Sequence, residues 1–105
     1  MLMKTLYQGQ PGISVETLYS ITNANTSSIK TIIACNTTAS ESNFSIYLVK
    51  NNESASLNNV IFYENAVPPK SSLVLDTANL QIDAGSYLAG KQGTANAITL
   101  LVQSL

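Results

Sequence analysis

The side chains able to do chemistry in this sequence are few and scattered. One cysteine, Cys35, stands with six carboxylates and five lysines, and the chain has no histidine, arginine or tryptophan. Histidine is the usual general base and metal ligand near neutral pH, and arginine the usual clamp for phosphate or carboxylate. Cys35 lies in the apolar run Thr31-Ile32-Ile33-Ala34-Cys35-Asn36. A nucleophilic or redox thiol needs a neighbour that favours the thiolate, and no histidine exists to do so. The expectation for Cys35 is therefore a small buried hydrophobe in a strand. Asp76 and Asp83, with Glu64 upstream, come nearest to an acid–base pair. They could also share a Ca²⁺ with loop carbonyls, but the Asp-x-Asp-x-Asp spacing is missing. The plainer reading ends a strand at Asp76 and opens an Asp-Ala-Gly turn at Asp83. Gly9-Gln10-Pro11-Gly12 lacks the Lys-Ser/Thr pair and the strand–loop–helix setting of a phosphate loop, so it reads as a turn. These residues lead to the expectation of no catalytic residue, no cofactor and no metal, hence not an enzyme.

Two weaker signals concern sugars. The tyrosines Tyr7, Tyr19, Tyr47, Tyr63 and Tyr87 could stack on pyranose faces, yet they suit strand surfaces and subunit interfaces equally well. A glycan site would gather Tyr and Asn in loops, and the chain offers only Asn51-Asn52 and Asn58-Asn59. Asn-x-Ser/Thr sequons occur at Asn25, Asn36, Asn43 and Asn52, which a chain this rich in Asn, Ser and Thr produces by chance.

Whatever positions these groups is a single domain, since 105 residues support one core. Hydrophobic residues make up 45% of the chain and charged residues 10%, far below the roughly 25% typical of soluble domains. Ser, Asn and Thr fill the gap with about a third of all residues. With a net charge of −1, copies of the chain repel one another little, which favours self-association. Lys4, Lys30, Lys50, Lys70 and Lys91 stand singly, without the basic stripe that phosphate neutralisation requires, so no nucleic-acid partner is expected. No apolar run approaches the roughly 18 residues that span a bilayer, so no membrane role is expected. The start, Met-Leu-Met-Lys-Thr-Leu-Tyr, lacks the pattern of a signal peptide. That start and the single thiol fit synthesis in a reducing cytoplasm.

Period-two alternation recurs along the chain. Strands are expected over Thr17–Thr22, Ile29–Cys35, Phe44–Val49, Val60–Tyr63, Ser71–Asp76, Leu80–Ile82, Ser86–Lys91 and Ala97–Val102. Turn-forming clusters separate them, and Pro68-Pro69 ends any strand before it. No segment carries a helical apolar stripe over three turns. Seven to eight short strands at this spacing predict an all-β, antiparallel β-sandwich, jelly-roll or Ig-like. Its expected core is Ile32, Phe44, Ile46, Leu48, Ile61, Leu73, Leu75, Ile82, Leu88, Ile98 and Leu100. Residues 16–105 form the sandwich. Residues 1–15 form either an N-terminal arm or the first strand; as an arm, Leu2, Leu6, Tyr7 and Ile13 would contact a neighbour.

The run Leu18-Tyr19 followed by Ile29-Lys30-Thr31-Ile32-Ile33-Ala34-Cys35-Asn36-Thr37-Thr38 resembles the core of small tailed-phage virion proteins. So do Val67-Pro68-Pro69-Lys70-Ser71-Ser72-Leu73-Val74-Leu75-Asp76, Ile82-Asp83-Ala84-Gly85-Ser86-Tyr87-Leu88 and Thr94-Ala95-Asn96-Ala97-Ile98-Thr99. The likeness runs from about Glu16 to Val102, and Met1–Val15 lies outside it. It implies a bacteriophage virion structural protein: a capsid decoration or cement protein, or else a neck, tail or fibre accessory that could recognise host-surface glycan. It carries no catalytic residues. The expected partners are the major capsid protein or other virion proteins, and further copies of the chain as a trimer or another homo-oligomer. The expected localisation is the virion, after synthesis in the host cytoplasm.

Overall fold

The structure is a computed structural model that describes residues 4–21 and 27–104. Eight strands form among them: β1 Lys4–Gly9, β2 Glu16–Ser20, β3 Ser27–Asn36, β4 Ser42–Val49, β5 Val60–Val67, β6 Ser71–Ile82, β7 Tyr87–Gln92 and β8 Ile98–Ser104. They make two four-stranded sheets, ordered β1-β8-β3-β6 and β2-β7-β4-β5. Every neighbouring pair is antiparallel. This order, with the chain crossing repeatedly between sheets, is the jelly-roll arrangement of a β-sandwich.

The alternation that marks the strands also builds the core. Ile32 and Ala34 of β3, Phe44 and Ile46 of β4, Leu88 of β7, and Ile98, Leu100 and Val102 of β8 lie fully buried between the sheets. Leu48, Ile61, Leu73 and Leu75, expected in the same core, pack against it but stay half-buried. Ile61, Leu73 and Leu75 belong to β5 and β6, which are edge strands. An edge has cover on one side only, so their exposure follows from position.

Three local outcomes differ from the sequence pattern. Leu80–Ile82 is not a separate strand but the continuation of β6 past a bulge, because Thr31 pairs with Asp76 while Ile29 pairs with Leu80. The Thr77 hydroxyl donates to the Ile29 carbonyl across this bulge. Cys35 is half-buried rather than in the core: Ala34 and Asn36 take the inward positions, which turns Cys35 to the outer face. In β4 both faces are covered, with Tyr47 and Val49 buried as well as Phe44 and Ile46. The outward pair joins Ala89, Ala55, Val60 and Tyr87 in a second small cluster under the β4–β5 loop.

Lys4–Gly9 is an edge strand of the first sheet, so this part of residues 1–15 is built into the sandwich. Between β5 and β6, Pro68-Pro69 takes the chain out of the second sheet and Lys70, with φ 52°, turns it into β6.

Candidate functional site

One end of the sandwich carries four loops: β1–β2, β3–β4, β5–β6 and β7–β8. Two buried amide side chains, Asn36 at the end of β3 and Gln92 at the end of β7, tie them together. The Gln92 amide nitrogen donates to the Pro11 carbonyl (2.6 Å) and to the Ile98 carbonyl (3.3 Å). Its oxygen accepts from the Ala97 and Ile98 amides at 3.2 and 2.7 Å. The Asn36 amide nitrogen donates to the Ser40 and Val67 carbonyls at 2.8 and 3.0 Å. Its oxygen accepts from the Thr38 amide (2.9 Å) and hydroxyl (2.8 Å). Each amide thus makes four bonds, its full capacity. Main-chain bonds complete the stitching: Gln92 N–H to Gly12, Thr37 N–H to Ala97, and Lys70 N–H to Thr38.

This fixed end presents apolar groups to solvent. Ile13 and Val15 lie on the β1–β2 loop, 61% and 43% exposed, beside Pro11 and Gly12, which Gln92 holds. Two branched side chains on a pinned loop are preorganised for contact, because little ordering remains to be done on binding. Of the expected contact residues, Ile13 alone is in this position. Leu6 and Tyr7 are half-buried and packed on the core, and Leu2 lies outside the described residues. Burial, and secondly the Glu16 carboxylate, push the Tyr7 phenol above its ordinary pKa of 10.0.

The opposite end is built differently. The loop between β4 and β5 is closed by the Leu48 amide donating to the Asn59 carbonyl at 3.0 Å. The Asn59 side chain spans its interior, donating to the Ser54 carbonyl (2.8 Å) and accepting from the Ser56 amide (3.0 Å). The loop folds over Tyr47 and Val49 with Ala55 as its apolar contact, and the Tyr87 hydroxyl donates to the Glu53 carbonyl at 3.4 Å. Beside it lies an open groove of about 350 Å³, lined by Lys50, Glu53, Asn58, Val60 and Ile61 among others.

The groups singled out for chemistry do not converge. Asp76 lies on the first sheet with one carboxylate oxygen 3.8 Å from Lys30 Nζ, Asp83 opens the β6–β7 turn with its main-chain carbonyl accepting from the Ser86 amide, and Glu64 lies in the second sheet. Gly85, with φ 84°, supplies the left-handed residue of that turn. Among the described residues no three His, Cys, Asp or Glu side chains gather where a metal could sit. Among them, too, no helix is long and apolar enough to cross a membrane. The tyrosines are dispersed: Tyr7 and Tyr19 pack on the main core, Tyr47 and Tyr87 on the outer cluster, and Tyr63 is exposed. Of the sequons, Asn36 is buried and fully bonded, so it is no glycan acceptor. Sequence reading missed the roles of Asn36 and Gln92. The Asn-Thr-Thr of residues 36–38 is a local turn signal, but nothing near Gln92 announces a buried amide.

No family model, curated protein or solved structure matches the chain. The fold defines the class, an eight-stranded jelly-roll β-sandwich.

Proposed function

We propose that the chain is a non-enzymatic structural protein of a phage particle, a decoration or cement protein that binds the capsid shell. The observation that carries this reading is the exposed Ile13–Val15 pair on a loop that Gln92 anchors at Pro11 and Gly12. A protein that cements a shell needs a stiff body and small presented contacts, and repeated copies let weak contacts add by avidity. One support is an analogy: jelly rolls recur in capsid and lectin domains. The low charge and hydroxyl-rich composition suit a surface that meets other proteins rather than nucleic acid.

The second reading is a neck, tail or fibre module that recognises host-surface glycan. The groove beside Lys50, Glu53 and Asn58 favours it, since a few polar groups converge there next to apolar Val60 and Ile61. Cryo-electron microscopy of the particle separates the two. Sandwich density across the icosahedral lattice supports decoration, with Ile13 and Val15 at the shell contact. Density confined to the neck, tail or fibre moves the protein to the second reading. Absence from the particle overturns both. In the decoration case, replacing Ile13 and Val15 by Asp abolishes binding of the purified protein to empty shells.

A further inference from the structure

Among the described residues the sandwich has four edge strands, β1 and β6 in one sheet and β2 and β5 in the other. Unpaired edges are templates for further strands, and proteins blunt them with bulges. Three of the four are blunted in this way. The register of β1 slips between Thr5 and Tyr7, that of β2 between Thr17 and Tyr19, and β5 slips twice opposite Phe44, Ile46 and Tyr47. None of these edges keeps an uninterrupted ladder longer than three residues. In β5 the bulge is built in firmly, with Glu64 at φ 47° and its amide donating 2.9 Å to the Ser45 hydroxyl.

The β6 edge is the exception. From Ser71 to Asp76 it pairs with β3 without a slip for six residues, and the bulge at Thr77 comes only after that run. The run is unbulged and, before Asp76, uncharged. It is also apolar on both faces. Leu73 and Leu75 point to the core yet remain half-buried, and Val74 on the outer face is 63% exposed. Val74 ends an apolar row across that face, since it pairs with Ile33 and Ile33 pairs with Leu101.

We infer that the Ser71–Asp76 edge of β6 pairs with the same edge of a second copy, antiparallel about a twofold axis at Val74, joining two four-stranded sheets into one of eight. The sequence of the edge supports this occupant over any other strand, because its polar–apolar pattern is symmetric about Val74: Ser-Leu-Val-Leu-Asp over residues 72–76. A twofold axis perpendicular to the sheet keeps inner faces together, so residues of like parity must oppose. Centring on Val74 sets Val74 against Val74 of the second copy, Leu73 against Leu75, and Ser72, a hydroxyl donor, against Asp76. Centring instead on Leu75 would place Val74 against Asp76, and centring on Leu73 would place Leu75 against Ser71. Apolar cross-strand pairs stabilise a sheet, whereas those mismatches do not. The −1 net charge leaves little repulsion between copies. With the remaining edges bulged, pairing stops at two copies and does not propagate. The contact stands on the edge itself and does not depend on a role in a virion.

Sedimentation of the full chain tests this directly, and the expected species is a dimer. Val74→Lys sets two ammonium groups face to face at the axis and should give a monomer with an unchanged far-ultraviolet spectrum, because the side chain it replaces is exposed. Val74→Glu should do the same. An equimolar mixture of V74K and V74E should return to a dimer, which only a register placing residue 74 against itself allows. A wild-type monomer or trimer, a dimer that V74K leaves intact, or a mixture that stays monomeric overturns the inference.

Discussion

The Asn36–Gln92 end of this sandwich and the β4–β5 loop at the opposite end solve one problem in opposite ways. Where loops leave a sheet, main-chain donors and acceptors lose their ladder partners and must find others. At the end holding Asn36 and Gln92, four loops share partners, and two buried amides make eight bonds, seven of them to main-chain groups. At the other end the β4–β5 loop satisfies itself through Asn59 and lies on the outer face of its own sheet. The first solution couples loops far apart in sequence. The second is local. A coupled end is rigid and fails as a unit, whereas a local loop can change without disturbing the rest.

The sharpest way to break that contrast is Gln92→Leu. The substitution keeps the bulk but strips partners from the Pro11 and Ile98 carbonyls and the Ala97 and Ile98 amides. Buried groups left unpaired cost about 1–3 kcal/mol each before relaxation, so a loss of about 3–4 kcal/mol is expected after partial rescue by water. Denaturant unfolding measures it. Hydrogen exchange should show the β1–β2 and β7–β8 loops loosening together; if only β7–β8 responds, the coupling is absent.

At the β4–β5 loop, Tyr47→Ala removes the buried ring of the outer cluster, against which Val49, Ala55 and Tyr87 pack. The expected cost is about 2–3 kcal/mol, below that of a ring in the main core because one side of the cluster is a loop. Exchange should rise in residues 50–59 and stay unchanged at the Asn36–Gln92 end. Loosening of both ends would mean that the β4–β5 loop is coupled to the Asn36–Gln92 end.

Most strands were legible because alternating runs bounded by turn residues mark them, as in Phe44–Val49 and Ser71–Asp76, whereas β1 stayed open between arm and strand and β5 runs on past Tyr63 to Val67. Their sheet order was not, since pairing depends on partners distant in sequence, such as Lys4 with Ser104. The covered outer face of β4 was hidden for a related reason. Tyr47 and Val49 read as one side of an alternating strand, and nothing local reveals that a loop of Asn and Ser residues folds back over them. The contact residues were legible only in part. Ile13 is exposed on a loop, but Leu6 and Tyr7 go inward because β1 joins β8.

Exposure itself can be tested at the coupled end. Ile13→Ser and Val15→Ser change side chains that solvent already reaches, so unfolding free energy should move by no more than about 0.5 kcal/mol. Binding to empty shells should nevertheless fall. A large loss of stability would mean that these side chains serve the fold rather than a partner.

The smallest effect expected is a pH dependence that begins just behind the coupled end, at Tyr7. Its phenol sits over Gly9, the hydroxyl 3.2 Å from where a β-carbon would stand there. Burial is the main reason its pKa lies above 10.0, and repulsion from the Glu16 carboxylate adds to it. A raised pKa means that the fold holds the neutral phenol more firmly than the unfolded chain does. Below 10.0 both states are protonated and this preference is fully kept. As pH rises past 10.0 the unfolded chain releases its proton first, so stability falls until the folded phenol ionises too. Tyr7→Phe should therefore flatten the alkaline decline in melting temperature. Glu16→Gln should flatten it less, because it removes the smaller cause and leaves the burial. If Glu16→Gln flattened the decline as much as Tyr7→Phe, charge rather than burial would govern the phenol, and β1 would be a looser edge than its packing against the core implies.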